Sequence, residues 1–391
     1  MKKIFMFIAA CAVILSACSQ NIGEPEEIVQ ETEESSQEKA IIPKYSISDD
    51  YYKMLIPFKT SEARGLVASN LNTRFDIDEF ETGLMRMASD KFPTDKYVFQ
   101  EGQYLDKETV QNWLRRKLTG KDLEEARKQN KSFKNEGLNP PKSNEGSEQE
   151  QNEKSPIYLV HIQEHDYLVK KDEKTLELGG ISIGLALNSV HYYRTEDGIQ
   201  QEVKLKKSDI EAKGKEMAQE IVNRLRKMDG LGSVPIVVSL YVQAPKNSIV
   251  PGHFFARAFV DNGSSQIGKW EAVDEAYYFF PSEEAAKEKQ DDANNFNRLK
   301  ADIEDFFPNY TGIIGKAFYQ NGEMKQMRIE IPMQFYGKTE VIAFTQFLTG
   351  KVLEYYKDYI SVEVNITSSR GQEALIVRKP GQDEPTVHIY Q

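Results

Sequence analysis

Apolar positions along this chain follow three different periods. Behind Lys2 and Lys3, residues 4–14 are almost unbroken in apolar character, and Leu15, Ser16, Ala17 and Cys18 follow. From residue 157 onward the apolar residues alternate or cluster as strands do. Runs at 157–162, 181–187 and 190–194 predict strands, and Ser208 with Glu211 reads as a capping box for a helix. That helix carries Ile210, Met217, Ile221, Leu225 and Met228 and is stopped by Gly230; strands are predicted again at 234–243 and 253–260. The order then recurs. Strands at 312–319 and 326–331 precede a helix capped by Thr339, with Val341, Phe344, Leu348, Val352 and Tyr355 on it, and strands at 360–367 and 374–379 follow. A charged helix over 282–307 joins the two copies. Residue identity between them is slight, so the pattern alone leaves a true internal repeat open.

The stretch before residue 157 reads differently. Residues 45–118 are mainly helical, with Phe80, Leu84, Met85 and Met87 at helical spacing and Asp106 as N-cap of a helix bearing Val110, Trp113, Leu114 and Leu118. Residues 120–156 turn polar, with Pro140 and Pro141 breaking any helix, and predict a mobile, protease-sensitive loop. Residues 19–44 carry Glu24, Glu26, Glu27, Glu31, Glu33, Glu34 and Glu38 and little to bury, which predicts a disordered, self-repelling acidic spacer.

The N-terminal run is too short for a spanning helix, which needs about 20 apolar residues, and suits an export signal. Small residues at Ser16 and Ala17, with Leu15 before them, would admit a signal peptidase next to Cys18. The pattern is that of bacterial lipoproteins: Cys18 takes a diacylglyceryl group, residues 1–17 are removed, and the body is held on the extracellular face of the cell membrane. Two acyl chains at about 0.8 kcal/mol per buried methylene make release slow. Of the two cysteines, Cys11 leaves with the signal and Cys18 is spent on lipid. The body therefore has no disulfide, cysteine nucleophile or cysteine zinc site. A net charge of −11, becoming −13 after loss of Lys2 and Lys3, argues against nucleic acid or an anionic membrane surface as a main partner. The basic clusters Lys204, Lys206, Lys207 and Arg115, Arg116, Lys117 read as solvated faces.

Candidate chemistry is sparse. His161, Glu164 and His165 match H-x-x-E-H, but that zinc motif needs a helix to bring its histidines together. Residues 157–165 favour a strand, on which His161 and His165 sit roughly 13 Å apart. A zinc-dependent hydrolase through these two residues is the alternative to a non-catalytic body. Asp76, Asp78, Glu79 and Glu81 lack the glycine and alternation of a calcium loop, with Glu81 at its sixth place. Asn365-Ile366-Thr367 fits a glycosylation pattern with no expected meaning in a bacterial lipoprotein. The prolyl loop 243–253 is a connection or, as loops on rigid scaffolds can be, a ligand site. Tyr277, Tyr278, Phe279 and Phe280 read as core. No catalytic residue, metal ligand or cofactor is assigned.

Several strings taken in order resemble the CamS family of sex pheromone lipoproteins of Gram-positive bacteria. They are Arg74-Phe75-Asp76-Ile77-Asp78-Glu79-Phe80-Glu81, Phe99-Gln100-Glu101-Gly102-Gln103-Tyr104-Leu105-Asp106, and Gly137-Leu138-Asn139-Pro140. Further on come Gln243-Ala244-Pro245-Lys246-Asn247-Ser248, Ile249-Val250-Pro251-Gly252, and Ile267-Gly268-Lys269-Trp270. The resemblance implies a lipid-anchored surface protein whose body holds two similar α+β repeats. It also implies that a short apolar peptide from the end of the signal acts as a mating pheromone. The corresponding residues here are Cys11, Ala12, Val13, Ile14, Leu15, Ser16 and Ala17, where Cys11 and Val13 replace the Ala and Phe of the family's active form. The expected fold is α+β: two strand-strand-helix-strand-strand repeats with mainly antiparallel sheets, after a mainly helical N-terminal stretch. The expected divisions are the signal 1–17, the tether 18–44, the helical region 45–156, a first repeat 157–281, and a linking helix with the second repeat 282–391. Expected partners are the membrane through Cys18 and an unidentified cell-surface protein, wall polymer or small-molecule ligand.

Overall fold

The computed structural model describes residues 26–31, 37–48, 51–307 and 312–391. Its N-terminal region supplies strands as well as helices: β1 (Glu26–Glu31), β2 (Gln37–Ile42), β3 (Lys53–Met54) and β4 (Val98–Glu101), with α1 (Val67–Asn70), α2 (Arg74–Ala88) and α3 (Lys107–Leu114). Thr73 opens α2 by accepting a hydrogen bond from the Asp76 amide at 3.0 Å, and Phe80, Leu84, Met87 and Ala88 then form its buried stripe. Asp106 caps α3 as expected, accepting from the Thr109 amide at 2.7 Å.

The stretch 120–156, expected as a mobile loop, contains α4 (Gly120–Gln129) and α5 (Glu148–Lys154). Asn139 pins it to the body. Fully buried, its amide donates to the Leu114 and Leu159 carbonyls (both 2.8 Å) and accepts from the Tyr158 and Leu159 amides (both 2.9 Å). All of its polar capacity is used, and the side chain stands in for a neighbouring strand.

From there the first sheet builds up through β5 (Leu159–Lys170), β6 (Thr175–Asn188), the small hairpin β7 (Val190–Arg194) and β8 (Gln200–Lys204), α6 (Lys207–Leu225), β9 (Ile236–Gln243), β10 (His253–Val260) and β11 (Trp270–Ala272). The second half holds β12 (Glu275–Phe280), α7 (Glu283–Glu288), α8 (Gln290–Phe306), β13 (Ile314–Gln320), β14 (Glu323–Pro332), α9 (Lys338–Tyr355), β15 (Ser361–Ser368), β16 (Gly371–Arg378) and β17 (Thr386–Ile389). The main path of the first sheet is β11-β10-β9-β6-β5-β4-β3, and the second runs β12-β13-β14-β15-β16-β17.

The connectivity is duplicated. In the first half β5 and β6 are antiparallel, α6 crosses over so that β9 lies parallel to β6, and β10 returns antiparallel to β9. In the second half β13, β14, α9, β15 and β16 repeat each relation. The likeness extends outward, since β4 borders β5 as β12 borders β13, and β11 borders β10 as β17 borders β16. The protein is thus α+β with two similar repeats. The sheet boundary falls after Ala272, so β12, expected to close the first repeat, is the edge of the second sheet. The 282–307 helix is not a free linker either, because Ala293, Phe296, Leu299 and Ile303 of α8 lie in the second core.

Two expected caps shift. α6 begins at Lys207, so Ser208 lies inside it and Lys206 is the N-cap without a side-chain bond. α9 begins at Lys338 after Gly337, and its entry is held instead by Glu340, which accepts from the Tyr336 amide at 2.7 Å.

The spacer expectation is overturned for residues 26–31 and 37–42. β1 and β2 pair antiparallel over their whole length, and β1 also lies parallel to β6 at Val29 and Gln30. Ala40 and Ile42 are buried with Leu55, Val98, Leu168 and Leu176. Backbone pairing to a sheet needs few apolar side chains, which is how so acidic a stretch becomes ordered.

Candidate functional site

The densest group of buried charge lies on β5. Its side chains alternate between faces, as strand geometry requires. His161 packs edge-on to Phe80 of α2 (centroids 6.0 Å apart) and His165 to Phe99 of β4 (4.8 Å). Ile162 belongs to the core under α3 and α6. Glu164 and Asp166 lie where β4 ends and the chain turns over the sheet edge. Three consecutive backbone amides there point at them: Gln103 donates to Asp166 (3.1 Å), Tyr104 to Glu164 (3.3 Å) and Leu105 to Glu164 (2.7 Å). The Gly102 amide donates to the Glu164 carbonyl (3.1 Å), and a Cβ at Gly102 would stand 2.5 Å from the Glu164 side chain. Only glycine permits this approach.

Burial, followed by the neighbouring Glu164 charge, pushes the Asp166 carboxyl well above the usual carboxylate range. Burial also raises Glu164, but the amides of Leu105 and Tyr104 offset this by bonding its charged form. A second negative charge on this pair is thus disfavoured, with Asp166 the more strongly affected. Both histidines are neutral, since burial lowers each from 6.5 to about 3. Gln163 lies 2.8 Å from His165 Nε2, while Gln163 Oε1 and His165 Nδ1 are buried without protein partners.

A cleft of about 70 Å³ opens beside this group, lined among others by Arg64, Glu81, Glu101, His161 and Gln163. Glu101 accepts from the Ser61 amide (2.7 Å) and pairs with Arg64 (3.3 Å). Burial raises Glu81, and the Glu101 charge adds to it. At this volume the cleft is well below the roughly 300–1,000 Å³ usual for ligand pockets. The H-x-x-E-H residues lie on a strand, as their composition predicts, so His161 and His165 cannot share one ion. Among the described residues no group of three or more His, Cys, Asp or Glu is placed to hold a metal.

The acidic string of α2 divides into separate roles. Asp76 is fully buried and accepts from the Tyr241 hydroxyl (2.8 Å), the Ala244 amide (3.0 Å), the Gly252 amide (2.9 Å) and the Thr73 hydroxyl (2.7 Å). It thereby fastens both ends of the prolyl loop 243–253, and Asn72 adds bonds to Gln243 and Ala244, each 2.9 Å. At Gly252 a Cβ would meet the Val242 carbonyl oxygen at 1.9 Å, so the loop closes only with glycine there. Asp78 is an exposed partner of Arg74. Glu79 belongs to the joint between the halves: Arg86 bridges Glu79 (2.5 Å) and Glu275 (2.9 Å), the Tyr277 hydroxyl donates to Glu79, and the guanidinium lies 4.7 Å from the Phe318 ring centroid. Burial raises Glu79 while the Arg86 charge opposes it. Sequence reading missed Arg86 and Glu275, although a glutamate beside an aromatic strand was a usable signal.

The remaining candidates are dispersed. Phe280 is core, whereas Tyr277 serves the joint. Asn365, Ile366 and Thr367 lie within β15, with Ile366 buried. Lys204, Lys206 and Lys207 are exposed. Arg115 and Arg116 line a second hollow of about 280 Å³ with Lys134 and Glu136. Cys18 and Cys11, Ala12, Val13, Ile14, Leu15, Ser16 and Ala17 lie outside the described residues.

A family model described as CamS sex pheromone cAM373 precursor matches residues 58–384. The chain is similar to the C-terminal domain of the sex pheromone staph-cAM373 precursor from Staphylococcus aureus, at 32% identity and a TM-score of 0.72, over 83% of this chain and 100% of that one. It is also similar to a sex pheromone precursor from Lactobacillus salivarius subsp. salivarius UCC118, at 29% identity and a TM-score of 0.78, over 89% of this chain and 98% of that one. No curated protein matches the chain.

Proposed function

Because the chain belongs to the CamS sex pheromone cAM373 precursor family, we propose that it is made as a lipoprotein precursor whose two parts act separately. Cleavage before Cys18 leaves a body anchored by diacylglyceryl on the outer face of the membrane. The observation that carries this reading is the placement of Cys18, the only cysteine outside the apolar signal, directly after Leu15, Ser16 and Ala17. Metabolic labelling with a clickable fatty acid tests it: the wild-type chain takes label and Cys18→Ala does not. Label retained on Cys18→Ala would overturn the anchor.

The body acts in this reading by binding or scaffolding and not by catalysis. In support, its buried acids are engaged by backbone amides, hydroxyls or basic side chains, and the cleft beside them is small. Partners are to be sought among surface proteins, wall polymers and small ligands. The discarded segment supplies the peptide from Cys11 to Ala17, whose uncharged character suits passage through membrane to an apolar receptor. Offering that synthetic peptide to cells with a responsive conjugative plasmid tests this half; absence of a mating response at every concentration would end it.

A further inference from the structure

The ladder between β1 and β2 places Glu26 opposite Ile42. The chain arriving from Cys18 therefore enters the body beside Ile42, and immediately beyond Ile42 lies an exposed turn. Its feet are held together, since Ile41 and Ile56 exchange backbone hydrogen bonds (2.8 and 3.0 Å) and the Lys53 ammonium donates to the Lys44 carbonyl at 3.4 Å. At its tip Ile47 is 89% exposed, Tyr45 76% and Tyr51 52%. Among the described residues, Ile47 and Tyr45 are two of the three most exposed large hydrophobic side chains. Soluble surfaces leave single apolar residues exposed, but three lie on this one stretch; Asp49 and Asp50 in its sequence balance the charge of Lys44 and Lys53, so the aromatic and aliphatic side chains, and not net charge, favour the boundary between headgroups and acyl chains.

Distance makes the coincidence consequential. Eight residue steps separate Cys18 from Glu26, a reach of at most about 28 Å. β1 and β2 take up twelve of the 27 residues of the 18–44 stretch, read as a long spacer from its charge, and the body is drawn close to its anchor. We propose that the turn carrying Tyr45, Ile47 and Tyr51 seats in the interface of the same bilayer that holds the Cys18 lipid, and so fixes which side of the body faces outward. This inference rests on the lipid-anchor reading above. The occupant is the lipid surface, reached by aromatic and aliphatic side chains with lysines at their base.

The mature chain has no thiol besides the lipidated Cys18, so Ile47→Cys gives a single labelling site. The lipidated Ile47→Cys chain, carrying an environment-sensitive dye, is reconstituted into phosphatidylglycerol–phosphatidylcholine vesicles that contain a doxyl-lipid quencher. A matching label goes at Asp383→Cys in the second half. Blue-shifted, lipid-quenched emission at position 47 and water-like emission at 383 are expected, with the position-47 signal lost in Tyr45→Ser/Tyr51→Ser. The unlipidated Cys18→Ser chain should partition weakly into these vesicles, and Tyr45→Ser/Ile47→Ser/Tyr51→Ser should lower that partitioning by about tenfold or more. If the lipidated chain floats with vesicles while the position-47 dye stays in water, the seat is wrong and the anchor stands. A lipid-modified Cys18 missing from the wild-type chain overturns the anchor instead, while loss of partitioning in the triple variant would still support the turn as a lipid contact. A blue shift without lipid quenching, growing with protein concentration, would assign the turn to a second copy and overturn the proposal.

Discussion

The two sheets share their connectivity and differ in what covers them. The first is enclosed, with α2 on one face and α3 and α6 on the other, and nearly every position of β6 from Gly180 onward is buried. The second has α8 and α9 on one face only, and β14 alternates buried Met327, Ile329 and Ile331 with exposed Arg328, Glu330 and Pro332. Buried polar and charged residues divide accordingly: among the described residues only Glu275, Thr345, Glu373 and Arg378 belong to the second half, and Glu275 is there to meet Arg86. One topology thus serves as a one-sided sheet or as the middle of three layers. The N-terminal region makes the difference, and the polar groups it covers must find partners inside the protein.

Five substitutions break or sharpen this contrast. Asp76→Ala strands the Tyr241 hydroxyl and the Ala244 and Gly252 amides, and should cost about 4 kcal/mol, read as a lowered midpoint in urea. An unchanged midpoint would mean that α2 holds the prolyl loop by packing alone. Asn139→Ala comes next at about 3 kcal/mol, because two amides and two carbonyls lose their partner. Limited proteolysis should then cut within 120–138 far sooner than in the wild-type chain, and equal rates would contradict the pinning role.

The third test is pH. A histidine depressed to about 3 contributes stability that is complete above its unfolded value near 6.5 and is lost as pH falls toward 3. His161→Phe should therefore flatten the fall in melting temperature between pH 6.5 and 3. Asp166 has the opposite sign. Its raised carboxyl favours the fold below the unfolded value near 4, and that contribution fades as pH rises, so Asp166→Asn should gain on wild type from pH 4 upward. Parallel curves for either variant would remove its group from the balance. The smallest effect belongs to the open face of the second sheet. Arg328→Ala, which breaks an exposed pair with Glu363 at 3.2 Å, should change stability by less than about 1 kcal/mol in the same denaturation assay.

The repeats were legible because periodicity survives without residue identity. Apolar spacing in Ile210, Met217, Ile221 and Leu225 and in Val341, Phe344, Leu348 and Val352 marked both crossover helices, and the composition of 157–162 marked the strand on which His161 and His165 lie. Other features depended on partners distant in sequence. Nothing near Asn139 announces that it completes the edge of β5, and the charge of residues 19–44 concealed strands held by backbone pairing. Three of the strings that carry the family resemblance proved to be partners, since Asp76 meets Ala244 and Gly252. Sequence could show that they stood together in order, and only the fold shows that they touch.

The Glu26–Ile42 pairing also has a mechanical side. A pull between Cys18 and the body would enter the β1–β2 ladder at its open end, so its backbone pairs would separate in succession and not all at once. Peeling β1 away would let out about 20 Å of chain at roughly 3.4 Å per residue while β2, Asp76, Asn139 and both sheet cores stay in place. Fluid drag at the cell surface would be met by a reel of strand, and the globule would be spared the load.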